Sequence, residues 1–178
     1  MIEALDALPE EACMSALAPL FEGAPRFLAR LCATRPFGTE TELFARARSI
    51  AHALPEAEQV ELIDAHPRLG ADPGSVSALS YREQGYDRDD DGPAPDPGVA
   101  RVAAELARLN TAYETRFGFR YCVFVAGRSR AALLPGLEAS LEADRASELQ
   151  RAIDAVVDIA ADRFRAIAAT EGGARPSP

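Results

Sequence analysis

Histidine occurs only twice in the 178 residues and cysteine three times, and no tryptophan is present. Cys13, Cys32 and Cys122 are odd in number and far apart, with no CxxC pair or Cys/His cluster. They read as reduced, mostly buried thiols, which excludes a disulfide framework and a zinc site. Basic residues are outnumbered 19 to 28 by acidic ones, giving a net charge of −9. That balance argues against nucleic acid and anionic membrane surfaces as partners, although a locally positive pocket can still take an anionic small molecule. No apolar run approaches the roughly 18 residues of a membrane span. Residues 1–9 carry Glu3 and Asp6 and lack the basic-then-apolar pattern of a secretory signal, so a cytoplasmic location is expected.

What is present is ordinary globular composition, 48% hydrophobic and 26% charged, patterned with helical periodicity. The spacing predicts helices over Glu10–Phe21 and Arg26–Ala33, broken near Gly23-Ala24-Pro25 and Arg35-Pro36-Phe37-Gly38. Thr39 or Thr41 caps a helix through Ala53, and another runs from about Pro55 to Ala65. Ser75 and Ser77 offer caps for a short helix reaching Gln84, and Pro97 suits the first turn of a long helix ending before Gly118. Phe119–Val125 is an apolar run with no partner strand, read as an extended core segment. Amphipathic helices over Ser129–Ala143 and Ala146–Thr170 complete an all-α domain of seven to nine helices, residues 1–171. A flexible tail is expected over 172–178.

Ala65-His66-Pro67-Arg68-Leu69-Gly70 places a titratable ring at the break between a helix and a loop. Pro67 disfavours helical backbone at His66, and Gly70 marks the turn. A ring held at a rigid corner is a candidate acid or base, or a plain loop filler. Ser80-Tyr81-Arg82-Glu83-Gln84 sits just downstream. Glu83 can orient a histidine and bind a substrate hydroxyl, and Ser80-x-x-Glu83 equally spells a capping box. Arg163 lies within the apolar stripe of the last helix, so it needs a structural carboxylate or a bound anion. Asp87-x-Asp89-x-Asp91-Gly92 imitates a calcium loop, but position twelve is Gly98 and prolines stiffen the second half. It reads as a solvated acidic loop. Apolar neighbours would raise the Cys122 thiol pKa, so that residue is read as packing and not as a nucleophile.

Arg35-Pro36-Phe37, Ala65–Gly70, Ser80-x-x-Glu83-Gln84, Asn110-x-x-Tyr113-x-x-x-Phe117-Gly118-Phe119, Glu148 and Arg163 occur in an order that resembles the OHCU decarboxylase family, over roughly residues 12 to 168. The resemblance implies an all-helical, cofactor-free homodimer acting on 2-oxo-4-hydroxy-4-carboxy-5-ureidoimidazoline (OHCU). The products are (S)-allantoin and CO2, formed during urate breakdown. It implies His66 as catalytic acid, with Glu83 and Arg163 completing the catalytic set. Substrate contacts fall on Pro67, Ser80, Tyr81, Arg82, Gln84, Tyr121, Cys122, Val123, Phe124 and Val125. The chain departs from the family in lacking a tryptophan near Arg26, in having Ser140 where an arginine is common, and in its long acidic stretch 87–97. A cyclic-ureide hydrolase using the same His/Glu pair, and a non-catalytic helical module with His66 as filler, are the competing readings.

Overall fold

A computed structural model describes residues 1–87 and 97–173. Among these, nine α-helices form the fold: α1 (Ile2–Ala7), α2 (Glu10–Leu17), α3 (Pro25–Cys32), α4 (Glu40–Ala53), α5 (Glu56–Asp64), α6 (Ala78–Glu83), α7 (Pro97–Phe117), α8 (Arg130–Ser140) and α9 (Arg145–Gly173). Short 3-10 turns at Ala18–Leu20 and Pro73–Ser75 extend the loops. No strand forms among the described residues, and Phe119–Val125 runs extended between α7 and α8. The all-α expectation is met.

Helix α9 is the central post. Leu149, Ile153, Val156, Val157, Ala160 and Phe164 recur at three- and four-residue spacing and are all buried, so one wide stripe faces the core. Against it pack α4, α5 and the 3-10 turn after α2, while α2 lies on α3 and α7 on α8. Thr39, Ser77 and Ser129 cap α4, α6 and α8 by accepting from the N–H of Glu42, Ser80 and Ala132.

Several boundaries differ from expectation for identifiable reasons. The first long helix ends at Leu17 and tightens into a 3-10 turn, because Pro19 lacks the N–H needed to continue it. Ser80 is not a cap: Ser77 takes that role, leaving the Ser80 hydroxyl free to bond elsewhere. Helix α9 runs to Gly173, past the expected start of the tail, and residues 174–178 lie outside the described residues. So do residues 88–96, with Asp89 and Asp91 of the calcium-loop imitation.

Helix α1 was not anticipated. The Asp6 carboxylate accepts from the N–H of Phe37 (2.6 Å) and Gly38 (3.0 Å), and Arg35 donates to the Leu8 carbonyl. Those two N–H groups hold the Asp6 carboxyl below the usual carboxylate range. The Arg-Pro-Phe turn is therefore a clasp that pins α1 to α3 and α4.

Candidate active site

Four pieces of chain converge on one cleft. The C-terminal end of α5 delivers His66, whose N–H still bonds the Ile63 carbonyl (3.1 Å) before Pro67 turns the chain away. Gly70 then bends the loop with φ +79°. A Cβ there would be strained at this angle and would press on Leu106 Cδ1 at 3.0 Å, so the position favours glycine. The bend is stitched by the Gln84 side chain. Its Oε1 accepts from the Gly70 N–H (2.7 Å) and its Nε2 donates to the Arg68 carbonyl (3.1 Å). Asn110 of α7 adds a bond to the Leu69 carbonyl (2.8 Å).

The extended segment forms the facing wall and is tied down from both ends. The Arg120 N–H donates to Asp64 Oδ1 (2.8 Å), and its guanidinium donates to the carbonyls of Asp64 (2.7 Å) and His66 (2.9 Å). One arginine thus fixes the apolar run against the histidine corner. On the other side Arg151 donates to the Cys122 carbonyl (2.8 Å) and to Glu148 (2.9 Å), and Tyr113 donates to Glu148 (2.7 Å). The Arg151 guanidinium also lies 4.7 Å from the Tyr121 ring centroid.

The resulting cleft encloses a cavity of about 30 Å³. His66, Pro67 and Leu69 line one side, with Ser80 and Glu83 of α6 and Gln84 at its C-terminal end. Tyr121, Cys122, Val123 and Val125 line the other, with Ile159 of α9 at the base. Nine of the thirteen residues singled out from sequence meet here. Arg163 lies behind the lining, Tyr81 packs on Tyr86 (5.4 Å between centroids), Arg82 is exposed, and Phe124 packs against the core. Leu69 and Ile159 were not anticipated as lining residues.

His66 is 3% exposed, and neither ring nitrogen has a hydrogen-bond partner. The Leu62 carbonyl lies near the ring but falls short of hydrogen-bond geometry. Burial first, then the nearby positive charge of Arg163, pushes the imidazole pKa down to about 4, and Glu22 partly opposes this. Cys122 is pushed up to about 12 by burial. It is an inert thiol, as its surroundings suggested.

Glu83 does not pair with His66. It takes Arg163 instead, in a bidentate fork from Nε (2.9 Å) and Nη2 (2.7 Å). The remaining donors of Arg163 go to the Pro19 (2.9 Å) and Leu20 (3.3 Å) carbonyls and Ser80 Oγ (2.9 Å), and Nη2 also forms an ion pair with Glu22 Oε1 (2.9 Å). The fork is fully occupied and 2% exposed, so Arg163 has no donor left for a ligand. Sequence spacing could not show which cation claims Glu83. Glu22 itself was missed, since it sits in a helix break with no periodic or motif signal. Among the described residues, no group of three His, Cys, Asp or Glu is placed to hold a metal ion.

Residues 6–165 match the family model described as OHCU decarboxylase. The chain is 30% identical over 165 residues to the uric acid degradation bifunctional protein PucL of Bacillus subtilis. That match covers 90% of this chain but only 31% of the longer relative. It is 24% identical to the 2-oxo-4-hydroxy-4-carboxy-5-ureidoimidazoline decarboxylase of Haloferax volcanii, covering 92% of this chain and 95% of that one. In three dimensions it resembles an OHCU decarboxylase crystallised in the presence of (S)-allantoin. There the TM-score is 0.66 at 24% identity, covering 84% of this chain and 94% of that one.

Proposed function

The chain belongs to the OHCU decarboxylase family, and on that premise we propose that it converts OHCU to (S)-allantoin and CO2 as a step of urate breakdown. One observation carries the reading to specific residues. A buried histidine with both ring nitrogens unpartnered lines a cleft whose other lining includes a carboxylate locked to a buried arginine.

The chemistry suits this chain. Breaking the C–CO2 bond leaves an electron pair that delocalises into the imine and carbonyl system of the ring. The substrate itself is therefore the electron sink, and the reaction is cofactor-independent. The sequence contains no lysine, so no side-chain amine is available for a Schiff base. What remains is to bind the ring, exclude water and deliver one proton to one face. The balance is OHCU anion plus a proton giving allantoin plus CO2.

His66 is neutral when the site is empty, because its pKa is held near 4. An anion entering the cleft favours the imidazolium, so His66 takes up a proton with the substrate and hands it to the ring carbon as CO2 departs. Glu83, fixed by Arg163, accepts the substrate hydroxyl or a ring N–H. The backbone N–H groups of Tyr121–Val125 align the ring, and Ser80 and Gln84 hold the walls. Pro67 stiffens the corner that aims the imidazole.

Residues 1–171 are proposed as one catalytic domain of a cytoplasmic homodimer, supported by the family resemblance and by three buried free cysteines. No described helix is long and apolar enough to cross a membrane. Sedimentation at micromolar concentration should give about twice the 19.0 kDa chain mass; a single 19 kDa species would overturn the dimer. The catalytic assignment is tested by His66→Asn, which should lower kcat by about 10²–10⁴-fold with an unchanged helical circular dichroism spectrum. Near-normal turnover in that variant would remove His66 from the mechanism.

A further inference from the structure

Glu22 occupies a place that its local sequence does not favour. Its backbone has φ +50°, followed by Gly23 at +94°, a left-handed conformation that is costly for a glutamate and easy for glycine or asparagine. Such an outlier persists only where the surroundings hold it. Here they do. The half-buried carboxylate accepts from Ser77 Oγ (2.8 Å) and Ser80 Oγ (2.6 Å) and forms an ion pair with Arg163 Nη2 (2.9 Å). Burial works against its ionisation, but the Ser80 hydroxyl and then Arg163 outweigh that and hold its carboxyl below the usual range. Two carboxylates, Glu22 and Glu83, thus share one buried guanidinium, leaving the cluster one negative charge in excess beside His66.

We propose that Glu22 is a positioning residue of the decarboxylase site: its carboxylate fixes Arg163 and Ser80, and through them Glu83, and supplies the excess negative charge that lets His66 be protonated. The inference rests on the decarboxylase reading for its kinetics but not for its electrostatics. The charged and titratable groups around His66 are Arg163 from α9, Glu83 from α6, Glu22 from the break after α2, the Cys122 thiol of the extended segment, and Arg120 of the same segment, which bonds the His66 carbonyl and is matched in charge by Asp64. Arg163 opposes a proton on the ring and Glu22 favours one. Without Glu22, Glu83 and Arg163 cancel, and His66 is left as a buried ring with no net negative charge nearby.

The test is Glu22→Gln beside Glu22→Asp, with Glu22→Asn as a second neutral variant that tolerates the left-handed backbone. NMR titration of the two histidine ring protons, with His52 as internal control, reads the site without substrate. The midpoint for His66 should fall in Glu22→Gln and Glu22→Asn, hold near wild type in Glu22→Asp, and leave His52 unmoved. In turnover, the pH at which kcat/KM declines should fall in the neutral variants, beyond any uniform loss. An unchanged His66 titration, or an equal loss at every pH with no displacement of the profile, overturns the role of Glu22. If the wild type does not decarboxylate OHCU but the titration shifts as expected, the functional reading fails and the electrostatic role of Glu22 stands.

Discussion

The protonation of His66 ties stability to acidity. Its folded-state pKa of about 4 lies below the ordinary 6.5, so the neutral ring is what the fold accommodates. The stabilisation is complete above pH 6.5 and is lost as pH falls through 4, because the unfolded chain binds the proton first. Over that window the loss is roughly 3 kcal/mol. Denaturant unfolding of wild type and His66→Gln between pH 7 and 4 should therefore show a stability difference that shrinks by about that amount. A difference independent of pH would contradict the depressed pKa. The same group governs turnover: with a proton taken up by a ring that prefers to be neutral, kcat/KM should decline as pH rises from about 5 to 8. Arg163 presents a different case. Arg163→Lys keeps the charge but loses the planar fork that meets Glu83, Ser80 and Glu22 together. This variant should show a fall in kcat with stability lowered by about 3 kcal/mol, the low end for a broken buried pair since both carboxylates keep some exposure.

At the scale of elements, the site is two loops pinned to helix ends. Arg120 joins them by bonding the carbonyls of Asp64, at the end of α5, and of His66 just beyond it. Arg120→Met leaves those carbonyls short of a donor, a cost of about 1–3 kcal/mol. It should raise KM more than it lowers kcat, because the extended wall moves while the histidine stays. Steady-state kinetics checks this; an unchanged KM would mean the wall is held without Arg120. The elements were unevenly legible. Thr39 and Ser77 were readable as caps because a hydroxyl before an apolar-periodic run satisfies orphan N–H groups wherever it occurs. Ser80 and Glu83 also fit a capping box, and only the tertiary pull of Arg163 and Glu22 settled their use. Helix α1 was illegible for the same reason: six residues hold a helix because Asp6 captures N–H groups thirty residues away.

At the scale of the molecule, apolar periodicity sufficed for the all-α architecture, since a stripe as long as that of α9 has few other ways to be buried. The convergence of residues 66–70, 80–84 and 121–125 was predicted only through resemblance; periodicity places each on its element but not beside the others. What neither route supplied was the pairing of charges within the cluster, where Glu83 binds Arg163 and leaves His66 unpartnered. The central claim is that this cleft makes one enantiomer of allantoin by a proton from His66. The direct measurement is the circular dichroism of allantoin formed from OHCU freshly generated from urate, with catalytic amounts of wild type or His66→Asn. Wild type should give a rapid dextrorotatory signal, and the variant only the slow, signal-free racemic background. A fast optical signal from His66→Asn, or none from wild type, would contradict the claim.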